Sequence, residues 1–412
     1  MKEKFSREEA VEASIEYFNG DSLAANVWVD KYSLKDGDGN IYEKTPDDMH
    51  RRLAKEFARI ESKYPNPLSE DEIYNLLKDF KYIIPQGGPM AGIGNNFVVT
   101  SLSNCFVIPS ALDSYGGIMK TDEEQVQLMK RRGGVGHDLS NLRPQGTLAN
   151  GAKLRGDTGM TLYMNRFSNS TREVAQDGRR GALMLSVSVK HPDTDKFIDM
   201  KLDTTKVTGA NVSVKITDEF MESVQDDSEF IQQFPIDSNT PLVTKKINAL
   251  DLWKKITYGA WKSAEPGVLF WDTVLKESPA RGYGAEWEEV STNPCGEIPL
   301  NPYDSCRLLA INLYSYVENP FTPDSYFNTG KFFKHVIYAQ RLMDDLVDLE
   351  IEKLDKIIDK IKSDPEPYSV KEVELELWVN IRDKAIRGRR TGLGITGEGD
   401  MLAALGLRYG TA

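Results

Sequence analysis

Three residues around position 295 carry groups whose types and spacing could do chemistry together. In Ser291-Thr-Asn-Pro-Cys-Gly-Glu-Ile-Pro-Leu300, an amide (Asn293), a thiol (Cys295) and a carboxylate (Glu297) alternate along the chain. An extended backbone would turn all three to one face. Pro294 and Pro299 disfavour a helix and remove backbone donors, so the stretch reads as an irregular strand or a loop tip. A second cysteine, Cys306, lies eleven residues on, and the third, Cys105, sits in the apolar run Val98-Val-Thr-Ser-Leu-Ser-Asn-Cys-Phe-Val-Ile-Pro109. Three cysteines without a C-x-x-C pair argue against a structural zinc site, and no metal is expected. They are either inert small thiols or a redox constellation in which two cycle through a disulfide while the third does other chemistry. For Glu297 alone the plain reading is a solvated carboxylate; its two-residue offset from Cys295 reverses that preference.

With their neighbours these residues form a recognisable pattern. Asn293-Pro-Cys-Gly-Glu297, the following Cys306, and Ser103-Asn-Cys-Phe-Val107 resemble the catalytic subunit of ribonucleotide reductases, most closely the adenosylcobalamin-dependent class II enzymes. The same order holds for Leu23-Ala-Ala-Asn-Val-Trp-Val-Asp-Lys31, Lys130-Arg-Arg-Gly-Gly-Val-Gly-His-Asp138, Ser168-Asn-Ser-Thr-Arg-Glu-Val-Ala-Gln-Asp-Gly-Arg-Arg-Gly181 and Gly392-Leu-Gly-Ile-Thr-Gly397. The likeness runs from about residue 20 to the C-terminus.

The resemblance assigns roles. Cys295 would become the thiyl radical that takes the ribose 3′-hydrogen, which labilises the 2′-hydroxyl. Glu297 would accept the 3′-hydroxyl proton as general base, and Asn293, with Ser103 and Asn104, would hold the substrate. Cys105 and Cys306 would supply the reducing equivalents and close to a disulfide, reopened by an external thiol reductant such as thioredoxin or glutaredoxin. Substrate choice would respond to an allosteric dNTP or ATP, with Asp113 at its ribose, Arg143 at its phosphates and Ser114 also among the effector-binding residues. A first specificity loop would span 146–159. A second would span 203–211 and end in Thr208, Gly209 and Asn211, residues able to bend and offer backbone amides.

The elements that must position these residues read as α/β. Helices are expected over 1–20, from Asp47 to Tyr64 and from Ser69 to Phe80, with Asp47 and Ser69 as N-caps. They make a helical N-terminal region, 1–84, with no ATP-binding cone ahead of it. From Pro85 on, apolar strands alternate with helices: Phe97–Val107, Glu123–Lys130, Met160–Ala175 and Ala182–Val189, followed by helical stretches at Lys331–Lys362 and Val370–Ala385. By resemblance, 85–412 is part of a ten-stranded α/β barrel made of two parallel five-stranded halves, with a finger loop at about 288–312. Gly146-Thr-Leu-Ala-Asn-Gly-Ala-Lys153 misses the P-loop spacing and reads as a flexible loop. Gly392-Leu-Gly-Ile-Thr-Gly397 matches a dinucleotide fingerprint only in letters, because it follows Arg387-Gly-Arg-Arg390 rather than an apolar strand; it reads as a strand-to-helix turn.

Composition narrows the partners. The 412 residues carry a net charge of −12 and a hydrophobic fraction of 40%. That balance argues against nonspecific nucleic-acid binding and leaves no stretch able to span a bilayer. The sparse thiols in an acidic chain argue for a cytoplasmic location. Nucleotide phosphates need local cations, with Lys130, Arg131, Arg132, Arg143, Lys153, Arg155, Arg179 and Arg180 as candidates.

The family pattern continues past Ala412 with a phosphate-binding segment, further strands and a terminal cysteine pair. The expectation is therefore a split or truncated enzyme, with a C-terminal polypeptide completing the barrel and a homodimer as the family's usual assembly. Three alternatives stand beside it: a non-catalytic nucleotide-binding half that regulates an assembly, a class I subunit needing a separate radical-generating subunit, and a thiol hydrolase pairing Cys295 with His50, His137, His191 or His335.

Overall fold

A computed structural model describes residues 3–149, 151–153, 159–174 and 181–411. The chain divides into two compact units, one made of Met1–Asn104, Cys306–Asp364 and Arg382–Ala412, the other of Cys105–Ser305 and Pro365–Ile381.

The first unit begins with four helices, Arg7–Tyr17, Ser22–Lys31, Pro46–Glu61 and Glu70–Leu77. Local chemistry sets where they start. Ser6 with Glu9, and Ser69 with Glu72, form reciprocal capping boxes that satisfy orphan amides of the first turn. The third helix starts earlier than expected. Thr45 caps it, Pro46 takes the first helical position where no donor is needed, and Asp47 instead pairs with Arg51 one turn later (2.9 Å). Met49, Leu53, Phe57 and Ile60 recur at helical spacing and are fully buried, each worth about 2 kcal/mol of apolar burial. They pack with Leu342, Met343, Leu346 and Leu349 of the long Thr329–Ser363 helix in one hydrophobic core. The 1–20 stretch ends its helix at Tyr17, and a separate helix at Ser22–Lys31 follows, capped by Asp21.

A small sheet completes this unit. Ile83–Pro85 runs antiparallel to Leu308–Asn312, which runs parallel to Gly392–Thr396. Gly397 then adopts a left-handed conformation (φ 72°) before the Glu398–Ala404 helix, so the glycine-rich motif is the expected strand-to-helix turn.

The second unit is built on a parallel sheet. Its strands lie in the order Gly267–Phe270, Asn211–Ile216, Leu183–Ser188, Gly134–Asp138, Cys105–Val107, and every adjacent pair is parallel. Beyond Cys105–Val107, Tyr303 donates to the Val107 carbonyl (2.8 Å) and Val107 to that of Asp304 (3.2 Å). Parallel strands need crossovers, and helices Tyr115–Lys130, Met160–Glu173, Thr194–Leu202 and Ala249–Ser263 alternate with the strands along the chain. These five strands are the parallel five-stranded half the resemblance implied.

Three local expectations change. The strand expected over Phe97–Val107 is confined to Cys105–Val107, because Ser101, Leu102 and Ser103 spend their donors on a buried carboxylate described below. The Glu123–Lys130 segment is the second half of a helix that starts at Tyr115, its start disguised by Gly116 and Gly117. Within 146–153, read as a flexible loop, Leu148–Ala149 pairs antiparallel with Ala152–Lys153. Among the described residues no helix is long and apolar enough to cross a membrane.

Candidate active site

The Asn293-Pro-Cys-Gly-Glu297 motif forms the tip of a hairpin in the second unit. Ser291–Thr292 pairs antiparallel with Pro299–Leu300, and Val290 donates to the Leu300 carbonyl (3.0 Å). Between the arms the chain turns: Gly296 donates to the Asn293 carbonyl (3.0 Å), and Gly296 has φ 88°, a conformation costly for any residue with a Cβ. Asn293 is fully buried, and its Oδ1 accepts from Ile298 N (3.0 Å), which staples the turn. Cys295 and Glu297 stand exposed at the tip. The loop-tip alternative is thus the observed one. The turn puts Cys295 and Glu297 on the exposed tip and Asn293 inside, so strand alternation does not bring the three to one face.

The hairpin can lie against the sheet because Gly136 has no side chain. A Cβ there would fall 1.8 Å from the Thr292 carbonyl oxygen. Beside this contact, Ser291 and Ser186 share a hydroxyl hydrogen bond (2.9 Å), and Ser186 donates to the buried Asp138 carboxylate (2.9 Å). Two polar atoms of the hairpin are buried without a partner in the structure, Thr292 Oγ1 and Asn293 Nδ2. The Asn293 amide is therefore a buried donor still to be satisfied, two positions before Cys295 in the sequence.

Electrostatics keep Cys295 protonated. Partial burial of the sulfur, then the Glu297 carboxylate, then the neighbouring Cys105 thiol all push its pKa above the ordinary thiol value. The histidines of this unit give no help to a thiolate. His137 is buried with its Nε2 on Gln125 Oε1 (3.1 Å) and its pKa lowered to about 3 by burial; His191 has its Nε2 on the Leu142 carbonyl (2.8 Å). Neither is hydrogen-bonded to Cys295, so neither is the activating base that the hydrolase alternative needs. Among the described residues no group of three or more His, Cys, Asp or Glu side chains is arranged to hold a metal ion.

Ser103, Asn104 and Cys306 belong to the first unit. Ser103 is buried, and its hydroxyl donates to Glu350 (3.1 Å), a carboxylate that also accepts from Ser101 Oγ (2.5 Å) and Leu102 N (2.6 Å). Asn104 packs on Gly88, where a Cβ would meet its Oδ1 at 2.5 Å. Cys306 is buried next to Arg307, which is fully buried and donates to the Arg390 carbonyl (2.9 Å). Burial raises the pKa of Glu350, while Arg307 and the three donors pull it back. Sequence reasoning missed Glu350. The available signal was an acid on the buried stripe Leu346, Glu350, Lys353, Ile357 of a long helix, where only a partnered charge is tolerated.

The effector candidates fall in two cavities. Asp113, Ser114 and Arg143 line one of about 250 Å³ with Tyr115, Ile118 and Tyr163. There Arg143 pairs with Asp113 (2.9 Å) and Ser114 caps the Tyr115–Lys130 helix through Gly117 N (3.1 Å). Thr208, Gly209 and Asn211 line another of about 620 Å³ with Arg172 and Gly181. Gly209 N donates to Ser168 Oγ (2.8 Å), and Asn211 reaches the Cys295 hairpin. Of the first specificity loop, residues 150 and 154–158 lie outside the described residues, as do Arg179 and Arg180. Lys130 and Arg131 are held by Glu374 (2.8 and 3.3 Å), which leaves them poor phosphate candidates.

Comparison with known proteins identifies the family. Residues 103–412 match the protein-family model for "Ribonucleotide reductase, barrel domain", and residues 18–91 match "Ribonucleotide reductase, all-alpha domain". A vitamin B12-dependent ribonucleoside-diphosphate reductase of Thermoplasma acidophilum is 29% identical, over 94% of this chain and 53% of that protein. One from Mycobacterium tuberculosis is 28% identical, over 94% of this chain and 51% of its own length. The ribonucleoside-diphosphate reductase large subunit of Acanthamoeba polyphaga mimivirus is 25% identical over 73% of this chain and 34% of that protein. The chain spans about half the length of the first two relatives.

Proposed function

Because the chain belongs to the ribonucleotide reductase large-chain family, we propose that it reduces ribonucleotides to 2′-deoxyribonucleotides by thiyl-radical chemistry centred on Cys295. The observation that carries this reading is the hairpin tip, where an exposed thiol is held protonated beside a carboxylate. A nucleophilic cysteine needs a lowered pKa, whereas a hydrogen-atom carrier must keep its S–H bond.

The relatives named vitamin B12-dependent point to adenosylcobalamin as the radical source. The residues fit such a group in one respect: Cys295 is an exposed residue at a loop tip. Bound, the cofactor would supply the one-electron oxidation that removes the thiol hydrogen. Cys295 then takes the 3′-hydrogen, and Glu297 accepts the 3′-hydroxyl proton. Asn293, Ser103 and Asn104 are assigned to substrate by the family pattern; Asn293 Nδ2 is a buried donor without a partner in the folded chain. Cys105 and Cys306 deliver two electrons and two protons; the 2′-oxygen leaves as water, a disulfide forms, Glu297 gives its proton back to the 3′-oxygen, and Cys295 returns its hydrogen to C3′. An external thiol such as thioredoxin or glutaredoxin resets the disulfide.

The same proposal gives the Asp113–Arg143 cavity to an allosteric dNTP or ATP, its aromatic walls Tyr115 and Tyr163 suiting a base and Arg143 its phosphates. A homodimer would use helices Tyr115–Lys130 and Met160–Glu173, which expose Tyr115, Met119 and Leu162.

The test is reduction of a ribonucleotide with adenosylcobalamin, dithiothreitol and dTTP, with and without a polypeptide carrying the remaining half of the relatives' length. Deoxynucleotide formed by the wild type and abolished in C295S supports the reading. Product formed equally by C295S, or none in either mixture, overturns it.

A further inference from the structure

The Asn211–Ile216 strand reads Asn-Val-Ser-Val-Lys-Ile, with polar residues at alternate positions. Alternation puts Asn211, Ser213 and Lys215 on one face and the buried Val212, Val214 and Ile216 on the other. Two of the polar residues grip the Cys295 hairpin by its backbone. Asn211 Nδ2 donates to the Pro294 carbonyl (2.8 Å), and Lys215 Nζ donates to the Val290 carbonyl (3.2 Å). The two pairs run in antiparallel register: Asn211 and Lys215 are four positions apart, and so are Val290 and Pro294. The strand therefore holds the first arm of the hairpin at its root and immediately before the thiol.

Lys215 is itself fixed. Its ammonium pairs with the buried Asp138 (2.7 Å) and lies 4.5 Å from the Trp271 ring centroid. Asp138 reaches the same root by another route, through Ser186 to Ser291. Asn211 differs, because it ends the 203–211 loop. That loop is pinned to Ser168 through Gly209 N, and Lys201 Nζ donates to the carbonyls of Val207 (3.0 Å) and Ala210 (2.8 Å). A shift of the loop moves Asn211, and with it the carbonyl next to Cys295.

We propose that Asn211 and Lys215 are positioning residues for Cys295, and that Asn211 makes the 203–211 loop and the thiol move together. The consequence for turnover rests on the reading of Cys295 as the reacting thiol; the placement itself does not.

The test is site-resolved alkylation by iodoacetamide, with Cys295, Cys105 and Cys306 followed separately by peptide mass spectrometry. N211A and N211D remove the donor, and K215M removes the root contact. Loss of one hydrogen bond is expected to change the Cys295 rate roughly twofold to tenfold while the other two thiols keep theirs. K215R is expected to restore most of the K215M effect. An unchanged Cys295 rate overturns the proposal, as does a rise of all three rates together, which would mean general loosening. The link to the loop is read from G209A, whose Cβ would meet the Ser168 carbonyl at 2.4 Å. Its effect on Cys295 must vanish in an N211A background; additive effects overturn the link. In the reconstituted reductase the same variants lower kcat and leave KM in place. A preparation without reductase activity sinks the functional reading and leaves the alkylation result standing.

Discussion

Gly136→Ala tests whether the Cys295 hairpin owes its place to a missing side chain. A Cβ at 136 would stand 1.8 Å from the Thr292 oxygen and 3.0 Å from its carbonyl carbon, with Met184 Cβ at 3.5 Å. Ordinary contact begins at 3.4 Å, so the Thr292 carbonyl must retreat by about 1.6 Å. The obstacle is backbone, which cannot rotate aside as a side chain would. Overpacking of this kind costs about 1 to 3 kcal/mol. A displacement near 1 Å at a reacting group costs on the order of a hundredfold in rate. The expected outcome is a modest loss of stability in urea unfolding, a changed Cys295 alkylation rate, and a kcat lowered far more than the stability loss alone would give. Gly399→Ala, with nothing within 4 Å and inside the Glu398–Ala404 helix, should add up to about 1 kcal/mol of stability and leave Cys295 alone. Wild-type stability together with wild-type Cys295 reactivity in G136A would refute the reasoning.

Stability should also carry a signature of Asp345. Burial, then the Glu61 carboxylate beside it, raises its pKa from 3.8 to about 8, while Arg341 opposes the shift. Between these values the folded state holds a proton that the unfolded chain has released, so stability falls as pH rises from 4 to 8. D345N, whose amide can still donate to Glu61, should flatten that slope by on the order of 2 kcal/mol after solvent screening; parallel urea midpoints for both proteins from pH 5 to pH 8 would count against it. For the proposed effector cavity, R143A should weaken dTTP binding in calorimetry by roughly tenfold to a hundredfold, the worth of a charge-assisted hydrogen bond. R172A, in the cavity lined by Thr208 and Asn211, should not; equal losses would remove the distinction between the two cavities.

Much of the fold was legible because strong local signals agreed with the final packing. Ser69 with Glu72 marked a helix start, and the charge-patterned 331–362 stretch is one helix from Thr329 to Ser363. The errors came where a signal had two readings. The helix expected at Glu123–Lys130 extends back to Tyr115, with Gly116 and Gly117 in its first turn, and the strand expected over Phe97–Val107 holds only at Cys105–Val107 because Ser101, Leu102 and Ser103 are committed to Glu350. The site was legible as a motif and not as geometry. Alternation predicted that Asn293, Cys295 and Glu297 share a face; the structure turns the chain at Gly296, buries Asn293 and leaves Cys295 and Glu297 exposed. Glu350, Asp138 and Lys215 were invisible as site residues because each acts through contacts made by segments far away in sequence.

The charges around the hairpin also explain how a rigid seat and a protonated thiol coexist. Holding a loop by its backbone calls for strong donors, and Lys215 is one. A cation placed at the tip would stabilise a thiolate and favour nucleophilic chemistry. Here the ammonium sits at the root, paired with Asp138, while the tip is held by the neutral amide of Asn211. The influences that reach Cys295 are burial, Glu297 and Cys105, and all three oppose ionisation. Exchanging the two donors in sequence, with lysine at 211 and asparagine at 215, would keep both kinds of anchor but bring the positive charge to the thiol. Cys295 should then titrate lower and react faster with iodoacetamide at neutral pH, which is the opposite of what a hydrogen-atom carrier requires.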